Sequence, residues 1–90
     1  MKYGRADLMA IAAVRYCLGR MSYIVGDCAD WLIADWGQIE ESARQCIQRD
    51  VEDAFTRDDE ARERGDEHKP LGMDCDRREW ERVRALWRTE

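Results

Sequence analysis

Apolar residues recur at intervals of three and four through the middle of the chain. Ile39, Ala43, Cys46, Ile47, Val51, Ala54 and Phe55 fall on one face of a helix, with charges of both signs between them. The pattern predicts a helix over 39–64 whose first half packs on a core. After Phe55 the stripe stops, so Arg57 to Arg64 are expected to form a solvated extension that frays or projects. Glu40–Arg44, Arg49–Asp53, Asp53–Arg57, Asp58–Arg62 and Glu60–Arg64 are opposite charges four apart. Each such pair contributes a few tenths of a kcal/mol at most.

The flanking patterns predict three more helices. Leu8, Ile11, Ala12, Val14 and Leu18 mark one over 5–18, with Gly19 as its stop. It has few charges before Arg15, and a helix apolar on most sides is either central in a core or half of an intermolecular contact. Ser22 starts the next, over 22–36, with Asp27 and Asp30 in its early turns. Its apolar face is broad: Val25, Ala29, Leu32 and Trp36 make one stripe, and Ile24, Cys28 and Trp31 an adjoining one. A short strand at Ile24–Val25 is rejected, because no second strand with period-two alternation accompanies it. Gly37 ends this helix, and the short connection that follows predicts near-antiparallel packing of the second and third helices. Gly65 to Met73, with two glycines and the only proline and histidine, is a loop. Asp76, with Glu79 three positions on, has the spacing of a capping box for a last helix over 76–88. That helix carries Trp80, Val83, Leu86 and Trp87 on one side and Arg77, Arg78, Arg82, Arg84 and Arg88 outside, so its basic charge is placed to lie against the acidic third helix. The expected fold class is all-α, a compact bundle of about four helices forming a single domain over 1–90.

Composition narrows this picture. With 90 residues and 44% hydrophobic content there is material for one core, burying about 60% of the unfolded surface. The four tryptophans must supply much of it. The net charge of −5 is uneven: residues 1–39 are balanced, and the whole acidic excess lies in residues 40–90. An acidic balance argues against general binding of nucleic-acid phosphates and of anionic membranes. The longest uncharged run, Leu8 to Val14, is too short to span a bilayer. Charged residues interrupt the first fifteen positions, so no secretory signal is read there and a cytoplasmic location in the host cell is expected. Cys17, Cys28, Cys46 and Cys75 lack a CxxC pair and read as free thiols, the first three as small core residues.

Chemistry is sparse. His68, Asp74, Cys75 and Asp76 are the nearest approach to a metal cluster, without zinc-site spacing. A cysteine nucleophile would have only His68 as its base. No glycine-rich phosphate loop or nucleophile-elbow motif is present. The expectation is therefore a non-enzymatic protein with no cofactor and no metal. Glu52, Asp59 and Glu63 instead form a row along the third helix, with Asp53 and Glu60 beside it. These five are the candidate partner-binding residues, able to offer a basic cleft the charges it takes from a phosphate backbone. On this reading, reversing Glu52, Asp59 and Glu63 to Lys abolishes association without unfolding the domain.

Three groups of segments carry a resemblance: Ser22-Tyr23-Ile24-Val25 with Asp30-Trp31-Leu32, Arg49 to Phe55 with Arg57-Asp58-Asp59, and Leu71 to Asp76 with Glu79 to Val83. They resemble small proteins encoded by phages and prophages of Gram-negative bacteria, over most of the chain from about Ile11. Members are mostly of unassigned function. Small acidic phage proteins of this size include anti-CRISPR proteins, which mostly act by binding an effector complex. The resemblance implies a phage-derived inhibitor that binds a host protein or nucleoprotein complex with a basic surface, and transfers no functional residues. The alternatives are a structural or assembly protein of a phage or mobile element, self-associating through the apolar first helix and exposed Trp side chains, and a small metal or thiol enzyme.

Overall fold

The computed structural model describes residues 4–18, 22–67, 70–72 and 74–88. Its elements are α1 (Arg5–Cys17), α2 (Ser22–Asp35), a 3-10 turn (Trp36–Gln38), α3 (Glu41–Arg64) and α4 (Asp74–Arg84), so the protein is an all-α bundle. Gly19, the expected stop of the first helix, lies outside the described residues; α1 closes at Leu18, whose N–H bonds to the Val14 carbonyl.

The helices form a ring in the order α1, α2, α4, α3, with α1 packed on α3 and α2 on α4. The sequential helices α2 and α3 are therefore placed across the diagonal rather than as close neighbours, contrary to expectation. The 3-10 turn and the extended Ile39 and Glu40 explain this. Three residues at about 2 Å and two at about 3.3 Å reach ~13 Å, enough to cross a bundle whose adjacent axes are about 9 Å apart. Ile39, 5% exposed, plugs that end of the core.

Asp7 ties the start of α1 to the chain just ahead of α3. Its Oδ2 accepts from the Gly4 N–H at 2.9 Å and its Oδ1 from the Glu40 N–H at 2.9 Å. One carboxylate thus satisfies a free N–H at the start of α1 and another just ahead of α3. Ala10, Ile11, Val14 and Cys17 share its face and are buried. Leu8 and Ala12, two of the apolar residues that mark this helix, turn outward with Met9 and Tyr16, so α1 is not enclosed on all sides by this chain. In α2 the first stripe is as expected, with Val25, Ala29 and Leu32 buried and Trp36 packed on the core. On the adjoining stripe Cys28 is buried, Trp31 is 38% exposed, and the Ile24 side chain lies outside the described residues. No acidic residue falls in the first turn of α2; Asp30 pairs instead with Arg82 of α4 at 2.8 Å.

With 24 residues, α3 is about 36 Å long, nearly the 40 Å length of the molecule. Ala43, Ile47, Val51, Ala54 and Phe55 are buried as the periodicity predicts, with Cys46 at the margin. The stripe does not stop at Phe55. Asp58 is fully buried and Ala61 is 2% exposed, so the second half of the helix is packed, not a solvated extension. It ends at Gly65, whose N–H bonds to the Ala61 and Arg62 carbonyls and whose φ of 75° turns the Asp66 N–H back to the Ala61 carbonyl at 2.9 Å.

The last helix begins and ends earlier than the expected 76–88. Asp76 is not its N-cap but its third residue, buried at 3% exposure. After Arg84 the bonds shorten to the i+3 pattern, Leu86 N–H to Val83 O at 3.0 Å and Trp87 N–H to Arg84 O at 3.3 Å. This tighter turn carries the Trp87 side chain to α3, while Trp80 and Val83 are buried.

Candidate functional site

Charge is sorted by direction along α3. Toward α4 lies a seam of ion pairs, and away from it an exposed face. The deepest group in the seam is Asp58. Its Oδ2 accepts from Arg62 Nε at 2.7 Å and Arg77 Nη1 at 2.5 Å, and its Oδ1 from the Leu71 N–H at 3.4 Å. Burial disfavours its charge, but the two guanidiniums and the Leu71 N–H outweigh it and hold the carboxyl below the usual range. Arg62 also reaches Asp74 at 2.6 Å and Arg77 reaches Asp59 at 2.8 Å. The loop after α3 is thereby tied to the helix it follows.

Two turns toward the N-terminus of α3, Glu52 is clamped from α4 and the turn beyond it. Arg84 and Arg88 each bind it through two nitrogens at 2.9 and 3.0 Å, and the Trp87 indole N–H donates at 3.0 Å. The Arg84 guanidinium lies 4.3 Å from the Phe55 ring centre and that of Arg77 5.0 Å, which places the charged heads over an aromatic face. The Arg84 hydrogen bonds, opposed by partial burial and aided by Trp87 and Arg88, pull the Glu52 carboxyl down to about 2.

This predicts acid sensitivity of a definite sign. A carboxyl with a depressed folded-state pKa stabilises the fold above its unfolded value near 4.5, and that contribution is lost as pH falls toward 2. Discounted for its 30% side-chain exposure, the loss is about 2 kcal/mol. Urea midpoints should stay level from pH 7 to 5 and then fall, and Glu52→Gln should flatten that fall. An equally steep fall in the variant would remove Glu52 as its source.

The five candidate residues are thus divided. Glu52 is spent on α4, and Asp59, whose side chain is 59% exposed, is paired with Arg77. Asp53, Glu60 and Glu63 are exposed. Of the five i,i+4 pairs read from the sequence, Asp58–Arg62 closes among the described residues, while Arg57 Nε instead reaches the Asp53 carbonyl at 3.5 Å. The structural role of Asp58 was missed, although it continues the Val51–Phe55 stripe toward Ala61 and has an arginine four positions on. No local pattern marks the bond of Asp7 to Glu40, which lies 33 positions away.

A cleft of about 310 Å³ lies between Trp36, Leu86 and Trp87 on one side and Glu41, Arg44, Gln45 and Gln48 of α3 on the other. The Trp36 and Trp87 rings are 5.6 Å apart at 35°. Of the metal candidates, Asp74 pairs with Arg62, Cys75 is exposed, and Asp76 is buried beside Gly72; His68 lies outside the described residues. Among the described residues no three His, Cys, Asp or Glu side chains are placed to hold a metal ion, and no helix is long and apolar enough to cross a membrane. No family model, curated protein or solved structure matches this chain.

Proposed function

We propose that the protein is a non-enzymatic binding module that offers the exposed acidic face of α3 to a basic surface on a protein or nucleoprotein partner. One observation carries this reading. Arg62, Arg77, Arg84 and Arg88 are committed to Glu52, Asp58, Asp59 and Asp74, so Asp53, Glu60 and Glu63 keep their charge at the surface. Complementary potentials of this kind steer encounter and fix orientation. The finer reading follows the resemblance to phage-encoded proteins: an anti-CRISPR-type inhibitor whose acidic face occupies a cleft that a host defence complex keeps for nucleic acid.

The reversal of Glu52, Asp59 and Glu63 is a poor test, because Glu52 and Asp59 hold α4. The triple variant Asp53→Lys, Glu60→Lys, Glu63→Lys removes exposed charges instead, costing about 1 kcal/mol of stability or less. In pull-downs from a Gram-negative cytosolic extract, partners captured by the wild type should be lost from the variant and from the wild type at high salt. For an isolated partner the affinity should fall by about tenfold or more. Capture of the same partners by the variant would reject the acidic face.

A second reading rests on α1, where Leu8, Met9 and Tyr16 are 55%, 58% and 55% exposed around Ala12. An apolar stripe of this kind fits self-association. A scattering mass that doubles on concentration, and reverts in Leu8→Glu, would favour an assembly role.

A further inference from the structure

Two of the four cysteines are brought together by the packing of α1 on α2. Cys17, on the last turn of α1, and Cys28, in the middle of α2, are 4% and 8% exposed. Cys28 Sγ donates to the Ala13 carbonyl at 3.9 Å. Ala13 lies one turn before Cys17, and a helical side chain leans back over the turn that precedes it. Both sulfurs therefore cover the same patch of α1. Burial, and then the Cys17 side chain within hydrogen-bonding reach, push the Cys28 thiol up. The other thiols are separate: Cys46 faces Arg15 at 3.6 Å and Cys75 is exposed.

We propose that Cys17 and Cys28 are a redox pair that closes to a disulfide, stapling α1 to α2, by exchange with a small-molecule disulfide such as oxidised glutathione. Cys17 reacts first, because the last turn of a helix opens most readily and because Cys28 is held as a thiol. The Cys17 thiolate attacks one glutathione sulfur, the S–S bond breaks, and one glutathione leaves as a thiolate that takes up a proton. Cys28 then loses its proton to solvent and attacks the Cys17 sulfur, and the second glutathione leaves and is protonated. Two protein thiols are oxidised to one disulfide, and glutathione disulfide is reduced to two thiols. The crosslink closes a short loop and restricts the unfolded chain, raising the thermal midpoint by about 5–15 °C.

The test uses the full chain, without denaturant, in a glutathione redox buffer, followed by alkylation and mass spectrometry. Trypsin places each cysteine in its own peptide: 16–20, 21–44, 45–49 and 65–77. The expected product is about 2 Da lighter, with 16–20 joined to 21–44, Cys46 and Cys75 still alkylatable, and the raised midpoint reversed by dithiothreitol. The Cys46→Ser, Cys75→Ser variant should behave the same way, and Cys17→Ala should form no crosslink. The proposal is overturned if only glutathione adducts form, if another pair is joined, or if the link appears only in denaturant.

Discussion

Asp58→Ala should lower the stability of the fold by about 3–5 kcal/mol, the range for removing one partner of a buried ion pair. The carboxylate has no exposure and holds two guanidiniums and a backbone N–H. Removing it leaves the Leu71 N–H unsatisfied and takes from Arg62 and Arg77 their shared buried partner, so that each keeps only a more exposed carboxylate, Asp74 and Asp59 respectively. Natural domains of this class are stable by about 5–15 kcal/mol, so the loss is a large share of the total. Urea unfolding at pH 7 measures it. The combined variant Asp58→Leu, Arg62→Met, Arg77→Met should recover most of the loss, because apolar residues of similar volume need no compensating charge. A loss below about 1 kcal/mol for Asp58→Ala would mean that the carboxylate is solvated in solution and that the end of α3 is the extension its sequence suggests.

Gly72→Ala should cost about 3 kcal/mol, against about 1 kcal/mol for Gly65→Ala. Both glycines have positive φ, 68° and 75°, so both substitutions carry the strain of an L side chain in the left-handed region. They differ in surroundings. A Cβ on Gly65 meets nothing within 4 Å, whereas one on Gly72 overlaps the Asp76 carboxylate. At 3% exposure Asp76 has little room to withdraw. Equal losses in the two variants, by thermal or urea unfolding, would show that Asp76 moves freely and that the start of α4 is not built around it.

Three features of the structure lie beyond local sequence patterns for one physical reason: each depends on a partner far along the chain. A charged residue in an apolar stripe normally marks the solvent boundary, so Asp58 made the stripe seem to end at Phe55. The arginines that reverse this, Arg62 and Arg77, lie four and nineteen positions away, and only the first falls within the periodicity of one helix. Likewise, Glu52 belongs to an acidic row by helical spacing. It is removed from that row by Arg84, Trp87 and Arg88, more than thirty positions on. The Asp7–Glu40 bond that ties the start of α1 to the chain ahead of α3 is again long-range.

What the sequence determined by itself is the set of helices and the buried stripe from Ile39 to Phe55, because a period of 3.6 residues is a local property that hydrophobicity reports directly. It also placed basic charge on the last helix against acid on the third. The tertiary structure alone decided the diagonal placement of α2 and α3, the meeting of Cys17 with Cys28, and which acids of α3 stay at the surface. These depend on distances between residues far apart in the chain, set by how the helices rotate to satisfy buried polar groups. On that sorting rests the narrowing of the acidic surface to Asp53, Glu60 and Glu63.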